Sequence, residues 1–308
     1  MISISSKVKQ FLVFSIKLLI VAIAFYFIYR QLANNDKLNW SKLIALSKEK
    51  LTFLNVCIIL SLSFLNRFFE ILKWQNLVSV IKKISVLTAT KQVLAALTAG
   101  IFTPNGIGEY AGKALYYPKS ETKNVVFLNL ICNGIQMIIT IVFGTLGLFI
   151  LGNFKMGLFI IGLIIVFFML IFVSKKINIK GYSIKNLIDK INEIPKKVHR
   201  KNIFLGLLRY AIFTHQFYFL FVVFGVNLPY LTMMASKSCI YFLSSSLPSF
   251  QFLDFAVKGS VAVFYLSKLG VNEWLIVFIT TLMWFLNVVL PIFIGSFYVL
   301  SFKTKPNA

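Results

Sequence analysis

Long runs of apolar residues, separated by short polar stretches, dominate the chain. A helix rises about 1.5 Å per residue, so roughly 20 apolar residues are needed to cross about 30 Å of hydrocarbon. The runs of suitable length are residues 11–29, 52–72, 124–151, 157–174, 203–226 and 274–300. This pattern predicts an all-α polytopic membrane protein with six full transmembrane helices.

Two further apolar regions, 86–117 and 231–268, do not fit a simple span. Each is too long for one crossing, and each is split near its middle by a proline with polar neighbours. The halves are too short to cross the bilayer, so the sequence predicts two re-entrant helical hairpins. Irregular backbone at membrane depth must be buried in protein or line a cavity. The tips near Pro104 and Pro248 are therefore the first candidates for a functional site.

Basic residues outnumber acidic residues by 32 to 9, which gives a formal net charge of +23. In a soluble protein this excess would suggest nucleic acid as a partner. Here the lysines are concentrated in loops beside the apolar runs, where positive charge helps to set the orientation of a membrane protein. We therefore expect no nucleic-acid partner.

The segment 175–201 carries the densest positive charge and is predicted to be a cytoplasmic loop. Counting spans from this loop places both termini in the cytoplasm, in a cell (inner) membrane. Hairpin 86–117 would then enter from the cytoplasm and hairpin 231–268 from outside. Similar elements of opposite orientation indicate an inverted repeat, as in many secondary transporters. Residues 1–308 are predicted to form one integral membrane domain.

Both hairpins contain an acid followed four residues later by a lysine: Glu109 with Lys113, and Asp254 with Lys258. Residues four apart lie on one face of a helix, so each acid can pair with its lysine. Ionisable side chains at membrane depth are costly and by default suggest a function. The alternatives are a simple kink at each proline and solvated acid–lysine pairs at the membrane surface.

The candidate residues for binding a charged ligand lie at or near the two tips. They are Glu109, Lys113, Asp254, Lys258, Pro104, Gly106, Gly108 and Pro248. Four supporting charges lie on the same or neighbouring elements: Arg67, Glu70, Lys91 and Lys237. Proline and glycine interrupt a helix, and the N-terminus of the next helix attracts anions. The pattern therefore predicts a charged ligand, either phosphate-bearing or zwitterionic.

Other polar residues within the apolar runs have less specific interpretations. His215 is either a proton-relay group or a packed histidine, and Asn133 and Gln136 are expected to form interhelical hydrogen bonds. Asn287 and Pro291 are expected to kink the last span. The sequence contains no catalytic triad, nucleotide-binding loop or metal-ligand spacing. We expect no enzyme activity, no catalytic residue, no metal and no cofactor.

A family resemblance adds to this interpretation. Residues 103–109 resemble the Pro-Gly-x-x-Gly-Glu signature in the transmembrane (flippase) region of the lysylphosphatidylglycerol synthetase/flippase family. Leu247-Pro248, followed by an acid and a lysine, is similar to the second motif of that family, and Lys73-Trp74 to its Arg-Trp pair. Asn105 stands where the family usually has glycine. The resemblance covers nearly the whole chain and implies a stand-alone member without the soluble synthetase domain.

The resemblance implies a lipid flippase-like transporter that moves an aminoacylated or phosphate-bearing lipid headgroup between leaflets. The expected partner is an anionic or zwitterionic phospholipid or a polyprenyl-phosphate lipid, and a homo-oligomer is left open. Two alternatives are a membrane enzyme and a non-transporting accessory subunit in lipid-linked glycan or aminoacyl-lipid metabolism. An enzyme would need a general base, for which Glu109, Asp254 and His215 are the candidates.

Overall fold

The computed structural model describes residues 40–101, 103, 106–174, 178–179, 182–247 and 253–302, with isolated helical positions at 15, 19, 22 and 26. Within these ranges the chain is almost entirely helical. The elements in chain order are α1 (Trp40–Lys50), α2 (Phe53–Val78), α3 (Val86–Gly100), α4 (Gly108–Ala114), a 3₁₀ turn (Lys119–Glu121), α5 (Thr122–Ile150), α6 (Phe154–Ser174), the antiparallel strands β1 (Asn178–Ile179) and β2 (Tyr182–Ser183), α7 (Ile184–Glu193), α8 (Lys196–Val223), α9 (Tyr230–Ser246), α10 (Asp254–Leu266), a 3₁₀ turn (Ser267–Leu269), α11 (Glu273–Trp284), a π-helical turn (Phe285–Val289) and α12 (Leu290–Ser301).

Several helical segments are long and apolar enough to cross a membrane. They are Phe53–Val78, Lys119–Ile150, Phe154–Val173, Lys196–Val223 and Glu273–Ser301. These five segments correspond to five of the six predicted spans. The first predicted span, 11–29, lies outside the described residues apart from isolated positions. Several such segments in an all-helical fold indicate a polytopic membrane protein, as predicted.

Polar residues cap the starts of several helices. Thr52 Oγ1 accepts a hydrogen bond from the backbone N–H of Asn55 at the start of α2, and Ser85 Oγ accepts one from Thr88 at the start of α3. Asn272 Oδ1 does the same for the first residues of α11. A helix start leaves N–H groups without intrahelical partners, so such caps define where these helices begin.

Both interrupted regions fold as two helices with a break between them. In the first, α3 ends at Gly100 and α4 begins at Gly108. In the second, α9 ends at Ser246 and α10 begins at Asp254. The two helices of each region pack against each other. Each region therefore contains the predicted break between two helices.

The turn of the first break is held by Thr103. Its Oγ1 donates to the carbonyl oxygen of Gly100 at 2.6 Å and accepts from the N–H of Gly108 at 2.7 Å. Gly106 has a φ of 69°, a left-handed conformation that glycine adopts without a side-chain clash. Two predicted site residues lie outside the described residues: Pro104 and Pro248.

Each interrupted region packs closely against a membrane-spanning helix through small residues. A β-carbon at Gly295 of α12 would overlap the carbonyl oxygen of Leu94 on α3. A β-carbon at Gly147 of α5 would lie 2.7 Å from the carbonyl oxygen of Ala235 on α9. Glycine at these positions lets the helix backbones approach each other.

The last span is not one regular helix. A π-helical turn, Phe285–Val289, separates α11 from α12. Pro291 has no N–H, so it cannot donate to the carbonyl of Asn287 four residues earlier. The distortion expected from Asn287 and Pro291 therefore takes the form of a π-helical turn, a feature that often occurs at functional sites.

The predicted cytoplasmic loop 175–201 contains more structure than expected. Its described part includes the short β1–β2 pair and the ten-residue helix α7. Helix α8 begins at Lys196, before the predicted start of the span at residue 203. The basic residues of this segment therefore continue into the first turns of a membrane-spanning helix.

Candidate functional site

A cavity of about 210 Å³ lies between helices α2, α3, α4, α5, α8, α9 and α10 and the last span. Its charged lining residues are Arg67, Glu70, Glu109, Arg209, Asp254 and Lys258. Its polar lining residues include Asn66, Asn133, Gln136, Tyr210, Tyr241 and Asn287. The charged lining contains three acids and three bases, so it is neutral overall.

Glu70 connects α2 to α8 in the cavity wall. Its Oε2 lies 2.9 Å from Arg209 Nη1 and 3.6 Å from Lys73 Nζ. Lys73 also donates to the carbonyl oxygen of Cys132 at 3.1 Å and to Gln136 Oε1 at 3.3 Å. Glu70 and Lys73 are buried, and a buried charge is costly unless it is paired and hydrogen-bonded. The two cations and the α5 acceptors supply these partners.

Arg67 connects α2 to the last span. Its Nη2 donates to the carbonyl oxygen of Asn287 at 2.5 Å. This is the carbonyl that Pro291 cannot satisfy, so the arginine replaces the missing helical N–H. The neighbouring Asn66 donates from Nδ2 to Asn287 Oδ1 at 2.7 Å. The distorted last span is thus tied to the charged face of α2.

The acid and lysine of the second break form an ion pair at the cavity. Asp254 is the first residue of α10, and Lys258 lies one turn further along the same helix. Lys258 Nζ donates to Asp254 Oδ2, and both side chains are partly exposed to the cavity. The pair predicted from the four-residue spacing is therefore present.

The first break behaves differently. Glu109, the second residue of α4, lines the cavity, but Lys113 one turn later does not. Lys113 is fully buried, with Nζ donating to Asn129 Oδ1 at 2.6 Å and lying 4.7 Å from the ring centroid of Trp74. The predicted Glu109–Lys113 pair is wrong, because α5 and α2 offer the lysine a buried acceptor and an aromatic ring.

The other predicted residues occupy several places. Arg67 and Glu70 lie in the cavity wall, whereas Lys91 is exposed on α3 and outside the cavity. Lys237 is buried and lines a smaller neighbouring cavity. Gly108 belongs to the turn that precedes Glu109, where a β-carbon would meet Thr103 and Gly100.

Arg209 is the main cavity residue that the sequence reasoning did not assign to the site. Asn66, Tyr210 and Tyr241 were also unassigned. An arginine inside an apolar helix was the available signal, because such a charge is rare without a function or a buried partner. Its partner Glu70 lies on another helix far away in sequence, so spacing gave no indication of their contact.

The amides on α5 form the expected interhelical hydrogen bonds. Asn133 donates to Tyr110 Oη of α4 at 3.1 Å, and Gln136 accepts from Lys73 of α2. His215 lies elsewhere, on an exposed face, where its ring bonds the Ala211 carbonyl and the Tyr230 hydroxyl. A proton relay through His215 would therefore not involve this cavity.

Within the described ranges, no group of three or more His, Cys, Asp and Glu side chains is placed to hold a metal ion. None of the protein-family models, curated proteins and solved structures compared with the chain matches it. The function is therefore argued from the cavity and its residues.

Proposed function

We propose that the protein is a flippase-like transporter that moves a charged lipid headgroup between membrane leaflets. The observation that carries this proposal is the convergence of six charged side chains on one cavity among apolar helices. Ionisable groups at membrane depth are costly, and they commonly mark the path of a substrate. The acyl chains would remain in the bilayer while the headgroup passes through the cavity.

The charges of the cavity suit a phosphate-bearing or zwitterionic headgroup. The Nε atoms of Arg67 and Arg209 are buried and have no hydrogen-bond partner among the described residues. Arginine recognises phosphate and carboxylate through several N–H donors at once. The pairs Glu70–Arg209 and Asp254–Lys258 can exchange partners with an arriving headgroup without leaving an isolated charge.

The proposal includes two re-entrant hairpins, α3–α4 and α9–α10, in an inverted repeat. One repeat would contain α2 to α5, and the other α8 to α12. In the proposed repeat, α3 is equivalent to α9, and α5 is equivalent to the last span. Helix α3 packs against α12 of the last span, and α9 packs against α5. Helix α2 packs against α8, its own proposed equivalent. Exchanging the two repeats reproduces these contacts, which supports the repeat and its use in alternating access.

The resemblance of residues 103–109 to the lysylphosphatidylglycerol synthetase/flippase family gives the proposal a substrate class. The ligand would be an anionic or zwitterionic phospholipid, an aminoacylated lipid or a polyprenyl-phosphate lipid. The proposed location is the cell (inner) membrane with both termini in the cytoplasm. The cavity residues Glu109, Asp254 and Lys258 fall within the motifs that carry the resemblance.

Leaflet exchange in reconstituted vesicles tests this proposal. Vesicles would contain a fluorescent charged phospholipid, and a membrane-impermeant reductant would bleach only the outer leaflet. In vesicles that contain the wild-type protein, lipid exchange should let the reductant bleach more than half of the label. Glu109→Gln and Arg209→Gln should each slow exchange by about tenfold or more, because about 1.4 kcal/mol of lost binding or barrier lowering corresponds to tenfold. Glu193→Gln, an exposed change on α7, is the matched control and should exchange at the wild-type rate.

Three outcomes would contradict the proposal. Both cavity variants could exchange lipid at the wild-type rate while remaining folded. Wild-type protein could release a chemically altered lipid, which would indicate the membrane enzyme. Wild-type protein could leave half of the label protected, which would indicate an accessory subunit.

A further inference from the structure

Lys237 on α9 is a buried lysine that does not line the main cavity. The residue is only 4% exposed. Its Nζ lies 4.4 Å, 4.6 Å and 5.2 Å from the ring centroids of Phe213, Phe217 and Tyr241. Among the described residues, no hydrogen-bond acceptor or carboxylate is in contact with this nitrogen.

The aromatic rings do not supply hydrogen-bond acceptors for the N–H donors of this ammonium group. An ammonium has three N–H donors, and a ring attracts the charge without replacing an oxygen acceptor for each donor. A buried charge without hydrogen-bond partners is costly. The chain therefore presents a pre-placed cation whose donors are available to a ligand.

Lys237 faces a second cavity of about 40 Å³, called here the inner cavity. It is lined by apolar and polar side chains that include Phe217, Ile240, Thr280 and Trp284. A bound water needs about 10–15 Å³ of such space, so the inner cavity has room for about three water-sized groups. The non-ester oxygens of a phosphate group are of this size.

The inner cavity adjoins the main cavity and differs from it in charge. Asp254, Lys258 and Asn287 line both cavities. The charged lining of the main cavity is neutral, but the inner cavity has Lys237 and Lys258 against Asp254 alone. One positive charge is therefore in excess, and one singly charged anion would neutralise it.

We propose that Lys237 binds the phosphodiester of a lipid headgroup in the inner cavity, while the rest of the headgroup occupies the main cavity. A phosphodiester carries one negative charge, which matches the excess, whereas a phosphomonoester carries up to two. The shared wall at Asp254 and Lys258 lets one ligand extend across both cavities. This assignment rests on the proposed function for the lipid nature of its ligand.

Binding to the purified full chain in detergent tests the assignment without requiring transport. The probes are four soluble molecules: dihexanoyl phosphatidylglycerol, dihexanoyl phosphatidic acid, uncharged dihexanoylglycerol and inorganic phosphate. Isothermal titration calorimetry should show the tightest binding for the phosphodiester, weaker binding for the phosphomonoester, and none for the uncharged lipid. Equal affinity for the charged and uncharged lipids would overturn the assignment. If inorganic phosphate binds as tightly as the phosphodiester, the conclusion that the ligand is a lipid would be overturned.

Variants of Lys237 separate ligand binding from packing. Lys237→Gln should weaken phosphodiester binding by about 10- to 100-fold, the effect of one lost charge-assisted hydrogen bond. Lys237→Arg should retain most of the affinity. Lys237→Met should lose affinity like the glutamine variant and is expected to fold, because methionine removes a buried charge that lies against aromatic rings. Lys185→Gln, at an exposed lysine of α7, is the matched control.

Wild-type affinity in folded Lys237→Gln or Lys237→Met would show that the lysine is only a packing residue, and would overturn the assignment. This result would not decide the transport proposal, which is tested separately by leaflet exchange with the wild-type protein. Binding that depends on Lys237, with no exchange by the wild type, would retain the inner-cavity site and end the transport proposal. Lipid exchange by the wild type, together with binding that does not depend on Lys237, would retain the transport proposal and end the inner-cavity site.

Discussion

The two interrupted regions share a sequence pattern but use it differently. In the second, Lys258 turns back to Asp254 and both face the cavity. In the first, Glu109 faces the cavity, while Lys113 points away to Asn129 and Trp74. The four-residue spacing puts an acid and a lysine on one helix face in both regions. Which partner the lysine takes depends on the neighbouring helices.

The difference separates two roles for a lysine close to a break between helices. Lys113 is fully buried with a single amide acceptor, so its charge stabilises the contact of α4 with α5. Lys258 is partly exposed to a cavity, so its charge is available to a ligand. Changing Lys113 should therefore lower mainly the stability of the protein, and changing Lys258 should lower mainly its rate of lipid exchange.

The largest loss of stability is expected for Lys113→Met. The change removes a charge-assisted hydrogen bond and leaves Asn129, whose Nδ2 already has no partner among the described residues, with a buried unpaired amide. The expected loss is about 3 kcal/mol in the free energy of unfolding. Thermal unfolding in detergent would measure it, with Lys91→Met as the exposed control. Leaflet exchange per folded molecule should stay within about twofold of wild type; a selective loss of exchange would contradict the structural role.

A smaller loss is expected for Gly295→Ala, which forces α12 away from α3 of the first region. The new methyl group would overlap the carbonyl oxygen of Leu94, so the expected cost is about 2 kcal/mol. Gly147→Ala makes the corresponding change against α9 of the second region and should cost less, because its β-carbon would lie 2.7 Å from the nearest oxygen.

Gly134→Ala provides the control for both glycine changes. A β-carbon at Gly134 meets no atom within 4 Å, and alanine favours a helix more than glycine does. This variant should unfold at or slightly above the wild-type temperature. If Gly147→Ala is more damaging than Gly295→Ala, the close approach at the first region is less important than its geometry indicates.

Local signals made the course of the chain predictable, because each depends on neighbouring residues. Apolar runs of sufficient length predicted five spans that the described residues contain, and prolines within polar patches predicted both breaks. The caps at Ser85 and Asn272 belong to the same class of signal. Such features are readable because helix formation and interruption are decided within a few residues.

The site was only partly predictable, because its contacts join distant parts of the chain. Glu70 could be recognised as a charge near the end of an apolar run, but its partner Arg209 lies on α8. The bond from Arg67 to Asn287 depends on the carbonyl that Pro291 leaves unpaired, and on the packing of α2 against the last span. Spacing along one helix predicts which residues share a face and does not predict which neighbouring helix that face meets.

Lys258→Met is expected to have the smallest effect on stability and a large effect on lipid exchange. The Asp254–Lys258 pair is partly exposed to the cavity, whereas Lys113 is fully buried, so losing Lys258 should destabilise the protein less than losing Lys113. The variant leaves Asp254 unpaired and gives the main cavity a net negative charge, so leaflet exchange of an anionic lipid should slow by about tenfold or more.

The double variant Asp254→Asn with Lys258→Met sharpens the comparison, because it restores a neutral cavity without either charge. If charge balance alone matters, the double variant should recover most of the exchange rate that Lys258→Met loses. If Lys258 contacts the headgroup, exchange should stay slow. Lys258→Met should also keep its unfolding temperature close to that of wild type, unlike Lys113→Met. A large loss of stability in Lys258→Met with normal exchange would reverse the roles assigned to the two lysines.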